Sequence, residues 1–166
     1  MANKIVIADA GPLIAFERTK RLSLLAETLG EIIAPRPVLK ECLSNTALPG
    51  AKEISEAIEK KLITSYDDPD THQYQNLFDI LGPGEATAII LAFQLKTGLL
   101  IDEKLGRQTA QKMNLRIIGT AGVLLLAKER NLIKKIAPLI QELKDTGYYL
   151  SEGLIETVLK RANEKN

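Results

Sequence analysis

The chain has one cysteine, Cys42, and one histidine, His72. A single thiol permits no internal disulfide and agrees with a reducing compartment. The two residues are far apart in sequence and offer no zinc-ligand spacing. A lone histidine in an acidic loop supplies no Ser-His-Asp constellation either. An excess of one charge is also missing: 22 Lys and Arg stand against 21 Asp and Glu, a formal net charge of +1. Bulk charge therefore gives no argument for a nucleic-acid partner, and any such claim must come from a site. The longest apolar runs, near Ile89 and Leu124, are too short to span a bilayer. Met-Ala-Asn-Lys leads straight into a strand pattern and lacks the apolar core and cleavage site of a signal peptide. Low-complexity tracts and repeats are absent. A cytoplasmic protein without a membrane partner is expected.

What remains is ordinary globular material: 166 residues, 45% hydrophobic and 26% charged. That length can bury a real core. The most informative stretch runs from Gly82 to Arg107 and reads as turn, buried helix, turn, buried strand, acid. Gly82, Pro83 and Gly84 break the chain, and Glu85 opens a helix whose positive end suits a carboxylate. From Ala86 to Leu95 the residues are apolar nearly all round, the mark of a helix buried on several sides. Thr97 and Gly98 are expected to stop it, with Gly98 as a left-handed cap. Leu99, Leu100 and Ile101 predict a central parallel strand. Asp102 follows at once, where open α/β sheets bind their ligands.

The same grammar holds elsewhere. Ile5 to Ala8 predict a buried strand that ends at Asp9. Ala10-Gly11-Pro12 turns into a helix with Pro12 at its first position. Helical patterns cover Leu22 to Leu29, stopping at Gly30, and the segment from Pro37 that carries Val38, Leu39, Cys42 and Leu43 on one face with Glu41 at its edge. Ile32 to Ala34 predict a short strand, Asn45 to Gly50 a loop, Ala51 to Lys61 a half-exposed helix and Leu62 to Tyr66 an edge strand. Asp67 to Asp70 reads as loop and cap, followed by a helix to Leu81. After Asp102 come a helix over Glu103 to Met113, a strand over Arg116 to Ile118, and helices over Ala121 to Lys128 and Lys134 to Thr146. Tyr148 to Leu150 is extended, and Ser151 caps a last helix through Lys160. Strands alternating with helices predict a three-layer α/β/α sandwich around a central, mostly parallel sheet. All carboxyl ends then share one edge. Asp9, Asp102 and Thr120 each follow a predicted strand, and Glu41 and Glu85 come from helix starts at that same edge.

Carboxylates that converge in one cleft repel each other and call for a cation. An oxygen-only set with open water positions suits Mg²⁺ or Mn²⁺, and such a metal commonly works on phosphate esters. Each residue also has a local reading. Asp9 and Asp102 suit turns after strands, Glu85 suits a helix start, and Glu41 suits a solvated face. Lys104 and Arg107 could hold a phosphate or line a surface. Thr120 could bind a metal water or cap a helix.

Taken in order, Ile-Val-Ile-Ala-Asp-Ala-Gly-Pro-Leu-Ile at the start, Glu41, Gly-Pro-Gly-Glu-Ala at 82 to 86 and Leu-Leu-Ile-Asp-Glu at 99 to 103 resemble a PIN domain, the fold of VapC-type toxin ribonucleases and many RNA-processing nucleases. The likeness spans roughly residues 4 to 132, as a PIN-like nuclease domain. Residues 133–166 are then a carboxyl-terminal helical extension packed on the same domain. The chain looks closest to a prokaryotic subgroup with such an extension. The resemblance implies that Asp9, Glu41, Glu85 and Asp102 are the catalytic, metal-binding acids. Lys104, Arg107 and Thr120 are expected near the substrate. The resemblance further implies Mg²⁺- or Mn²⁺-dependent hydrolysis of RNA, a homodimer and, in toxin members, an antitoxin protein. The chain departs from the pattern at Ala10, where the family often has Ser or Thr. Aspartyl phosphatases want a second acid at position 11, which is Gly11, and receiver domains want paired acids where only Asp9 stands. A catalytically inactive PIN-like scaffold is the remaining alternative, and clustered acids without a metal would cost it stability.

Overall fold

A computed structural model describes residues 4–44 and 51–164 of the chain. The first three residues and the loop expected over Asn45 to Gly50 lie outside the described residues. Five short strands form one parallel sheet: β1 (Ile5–Ala8), β2 (Glu31–Pro35), β3 (Ile63–Tyr66), β4 (Gly98–Leu100) and β5 (Ile117–Ile118). Their spatial order is β3-β2-β1-β4-β5. The chain thus builds outward from β1 on one side, then returns to add β4 and β5 on the other. The reversal makes the gap between the carboxyl ends of β1 and β4 the switch point of the sheet, the crevice where such folds take ligands. Ala8 lies opposite Leu100, and the Asp9 N–H donates to the Leu100 carbonyl at 2.9 Å. That bond carries the pairing one residue past β1.

Helices cover both faces and give the three-layer α/β/α arrangement. In chain order they are α1 (Ala10–Arg18), α2 (Leu22–Leu29), α3 (Arg36–Leu43), α4 (Ala51–Glu59), α5 (Gln75–Phe78), α6 (Pro83–Leu95), α7 (Lys104–Lys112), α8 (Thr120–Glu129), α9 (Ala137–Asp145) and α10 (Glu152–Arg161). No helix among the described residues is long and apolar enough to cross a membrane. Helix α6 carries out the all-apolar pattern of its sequence: Ala86, Ala88, Ile89, Ile90 and Ala92 are fully enclosed, and it packs against β1, β2, β4, α3 and α7. Ile7, Leu99 and Leu100 of the sheet likewise have no exposed surface. Full burial of such a side chain is worth about 1.5–3 kcal/mol, so this layer dominates the core.

Local signals set several boundaries as expected. Helix α2 stops at Gly30, β3 is an edge strand, and the Ser151 hydroxyl accepts the Leu154 N–H at the start of α10. Three expectations need correction. Helix α1 already begins at Ala10, so Pro12 sits inside its first turn. Helix α6 ends with Lys96, not Gly98, in the left-handed conformation, and Gly98 instead pairs with Val6 as the first residue of β4. The helix expected to reach Leu81 is only a 3-10 turn over His72–Tyr74 followed by the four-residue α5. Most of that stretch is exposed, so no apolar face extends it.

The final segment is anchored in two places. Helix α10 packs on α8, whose other neighbour is α2. Val123 and Leu124 of α8 are buried. Further on, the Glu164 carboxylate accepts the Ile136 and Ala137 N–H groups at 2.8 and 3.1 Å and meets Lys128 Nζ at 2.9 Å. Burial pushes the Glu164 carboxyl up, but these donors outweigh it and hold it below the usual range. Glu164→Ala is therefore expected to cost about 1–3 kcal/mol. Urea unfolding would record the loss, and amide exchange at Ile136 and Ala137 should accelerate. Unchanged exchange at both amides would remove Glu164 as an anchor.

Candidate acidic site at the carboxyl edge of the sheet

Asp9 stands just before α1, directly after β1, makes no side-chain capping bond and is only 5% exposed. Its Oδ1 has no hydrogen-bond partner. An unpartnered buried carboxylate oxygen is costly unless something else neutralises it. Burial, and then the charges of Glu85, Glu41 and Asp102, raise the Asp9 carboxyl to about 7 against the opposing pull of the Ala10 N–H. All three of the other acids expected at the site thus act on Asp9.

Each of those three is admitted by a glycine that leaves room for a carboxylate. Helix α3 packs on α6 at Gly84, where an added Cβ would stand 2.8 Å from Glu41 Oε2. At Gly106 of α7 an added Cβ would stand 3.1 Å from Glu85 Oε2. At Gly119, before α8, it would stand 2.7 Å from both Asp102 Oδ1 and Arg107 Nη1. Glu41 corrects the expectation that it comes from a helix start: it lies in the later part of α3, and its carboxylate stands against Gly84 of α6. Glu85 does open α6. Its carboxyl is raised by burial and by Glu103, whose side chain shares a hydrogen bond with it. Glu103 also caps α7 by accepting the Gly106 N–H at 2.8 Å.

Asp102 is the most tightly bound of the four. Its Oδ1 accepts the Thr120 N–H at 2.7 Å, and its Oδ2 accepts the hydroxyls of Thr120 and Tyr148. Thr120, expected near substrate, is fully buried and spends its hydroxyl on Asp102. Arg107 is half-buried and donates to the Ile101 carbonyl at 3.0 Å, beside Asp102, while Lys104 is exposed one turn earlier on α7. Tyr148 escaped the sequence reading. It follows the turn at Gly147 and comes from 46 positions beyond Asp102, and no local pattern marks such a contact. Burial and the neighbouring Asp102 charge raise its hydroxyl well above the ordinary tyrosine range.

The acids whose charges act on Asp9 are Glu85, Glu41 and Asp102, and carboxylate oxygens suit a hard cation such as Mg²⁺ or Mn²⁺. Among the described residues no three His, Cys, Asp or Glu side chains already form a group that could hold a metal ion. Mg²⁺ commonly binds through one or two carboxylates and retains its waters, so the orphaned oxygen of Asp9, acted on by the charges of Glu85, Glu41 and Asp102, fits such an ion without a closed cage. A second buried acid, Glu17, is also raised to about 7, by its burial and by Glu53, and its Oε2 too lacks a partner.

A family model described as DUF3368: PIN domain matches residues 5–164. A solved structure, a domain of a functionally unknown protein from Methanocaldococcus jannaschii DSM 2661, is similar at 18% identity and a TM-score of 0.48, covering 70% of this chain and 90% of that one. A likeness at that score carries no argument. No curated protein matches.

The pH dependence of stability follows from Asp9. Its carboxyl rises from 3.8 to about 7 on folding, so the folded state holds the proton more tightly. The resulting stability is complete below about pH 4 and is lost as pH rises through 7. Metal-free protein should therefore lose melting temperature between pH 5 and pH 8, with Glu17 adding to the loss in the same window. Asp9→Asn should flatten part of that slope and raise the melting temperature at pH 8. Melting curves of both proteins without metal across this range provide the test, and parallel slopes would contradict the assignment.

Proposed function

The chain belongs to the PIN-domain family, and from that premise we propose that it is a metal-dependent ribonuclease that hydrolyses RNA phosphodiester bonds. PIN domains are generally nucleases, and PIN-domain nucleases typically use divalent metal ions. The observation that carries the reading for this chain is the unpartnered, buried Asp9 carboxylate, set at the switch point among other acids. Asp9 and Asp102 would hold Mg²⁺ or Mn²⁺, with Glu41 and Glu85 beside them. When bound, such an ion supplies an activated water and support for the leaving oxygen.

The chain's own groups do the rest. Thr120 and Tyr148 fix the orientation of Asp102, as partners behind a metal ligand do. Glu85 and Glu103 share a hydrogen bond, and burial raises Glu85. That pair is suited to hold a proton next to the cleft. Arg107 and Lys104 supply positive charge for a phosphate on the α7 side. Ala10 leaves the helix start without a hydroxyl, and Thr120 is already committed to Asp102, so polar contact with substrate falls to α7 and to the segment around Tyr148.

In this proposal residues 1–132 form the nuclease unit and residues 133–166 an extension that adds Tyr148 to it. A role as the toxin of a toxin-antitoxin pair, a homodimer and a cytoplasmic location belong to the same proposal and rest on the family resemblance. The inactive-scaffold reading draws on one observation, that no three acids already form a metal-holding group among the described residues. Manganese separates the two, because a scaffold gains no thermal stability from it at this site and cleaves nothing.

Asp102→Asn is expected to reduce cleavage of a mixed RNA pool in Mn²⁺ by orders of magnitude, while the fold survives because Asn still accepts the Thr120 N–H. Tyr148→Phe should lower metal affinity or cleavage rate by about 10–100-fold, as loss of a partner behind a ligand does. Cleavage time courses, with melting curves at several Mn²⁺ concentrations, measure both effects. If both variants cleave and respond to metal like the wild type, the roles given to Asp102 and Tyr148 fail, and if the wild type itself does not cleave in Mn²⁺, the nuclease reading fails.

A further inference from the structure

The amino edge of the sheet, opposite the acids, gathers cations. Lys4 stands just before β1 and Arg116 just before β5, while Lys96 and Arg130 follow the ends of α6 and α8. These four line an open cavity of about 530 Å³ whose apolar wall includes Leu29 and Leu126. A second cavity of about 490 Å³ adjoins it and shares Lys96, Thr97 and Arg116. Tyr74 and Phe93 line the part that is not shared. Phe93 meets Tyr74 edge-on with ring centroids 6.1 Å apart, and it remains 42% exposed. Among the described residues no Asp or Glu lines either cavity. The ion pairs among the described residues engage other cations, namely Arg21, Arg36, Lys52, Lys128 and Lys144. Arg130 spends one N–H on the Thr28 carbonyl in the last turn of α2. Helix carboxyl ends favour nearby cations, which gives Lys96 and Arg130 a local reason to be there. Lys4 and Arg116 sit at strand starts and have no such reason. Four cations around one space, in a chain of net charge +1, repel one another unless an anion joins them.

We propose that this edge binds a nucleoside triphosphate, with its phosphates among Lys4, Lys96, Arg116 and Arg130 and its base against Phe93. Three features of the chemistry favour that occupant. Both cavities have the size of small-molecule sites, apolar walls with a few convergent polar groups. The planar guanidinium of Arg116 suits a phosphate by two parallel bonds, and the lysines add point charges. An exposed aromatic ring at the far end of the same space suits the face of a base. A strand of RNA spreads its charge at one phosphate per nucleotide, whereas a triphosphate concentrates it in one cavity, as four convergent cations require. From Lys4 to Asp9 the extended chain of β1 runs roughly 16 Å. A nucleotide at the amino edge therefore leaves the carboxyl edge open, and the site stands whether or not that edge is a nuclease.

The test uses the full chain in EDTA, so that no metal bridges a phosphate to the acids. ATP, inorganic triphosphate and adenosine are titrated by calorimetry into wild type, Lys96→Asn, Arg116→Gln, Phe93→Ala and, as a control for surface charge, Lys160→Ala. Position 96 has a φ of 55°, a left-handed conformation that Asn tolerates. Circular dichroism with a melting curve confirms that each variant folds. ATP should bind wild type and Lys160→Ala alike, triphosphate should bind more weakly, and adenosine weakest of all. Lys96→Asn and Arg116→Gln should each weaken ATP binding about tenfold or more. Phe93→Ala should remove the advantage of ATP over triphosphate. Wild type that binds neither ATP nor triphosphate would overturn the site, and so would charge variants that bind ATP like wild type. Triphosphate binding as tightly as ATP would remove the base from Phe93 and with it the nucleotide. A labelled single-stranded RNA is titrated in the same buffer. If it displaces ATP and the two charge variants weaken it as much as they weaken ATP, the edge is an RNA surface and the nucleotide falls.

Discussion

The Asp9 N–H bonded to the Leu100 carbonyl is the contact on which the rest depends. It extends the register of β1 and β4 past the end of β1 and thereby fixes Asp9 beside the strand that delivers Asp102. Because β1 and β4 are parallel and adjacent, both acids leave the sheet at the same edge, Asp102 one residue beyond the position level with Asp9. A slip of one residue would move Ile7, Leu99 and Leu100 each to the opposite face of the sheet, breaking their packing as well as shifting the acids. The apolar packing under α6 therefore enforces the geometry of a polar site, and core stability and site geometry are the same constraint at this point of the fold.

Against that order works the repulsion among the carboxylates. The fold accommodates it by distributing the acids over separate supports. Asp102 is satisfied by three donors from Thr120 and Tyr148, Glu85 leans on Glu103, and Glu41 is exposed. Of these four acids, only Asp9 is left buried with an unpartnered oxygen. The uncompensated charge is thus concentrated on the residue at the sheet's switch point. Gly84, Gly106 and Gly119 make this possible by giving up side-chain volume where a carboxylate oxygen stands.

Much of this was legible in the sequence, and the part that was not shares one physical cause. Strand ends and helix starts are local, so Asp9, Glu85 and Asp102 could be assigned to one edge from alternation and turn residues alone. Helix α2 shows the same clarity, its apolar face and Gly30 setting both bounds. Glu41 looked like a solvated side chain because its position depends on the approach of α3 to α6, which is tertiary. Lys96 took the left-handed cap because Gly98 was claimed by pairing with Val6, a competition that local propensity does not register. Tyr148 was unreadable for the same reason as Glu41, at greater range.

The bond from Tyr148 to Asp102 also gives the site an order of assembly in time. A chain emerging from synthesis presents Asp9, Glu41, Glu85 and Asp102 in turn, and domains fold as their segments become available. Tyr148 arrives last, after α8 and α9 have both been made. Until then Asp102 lacks one of its three donors. A nascent chain holding all four acids is therefore still an incomplete site, and its maturation coincides with the docking of its final helix.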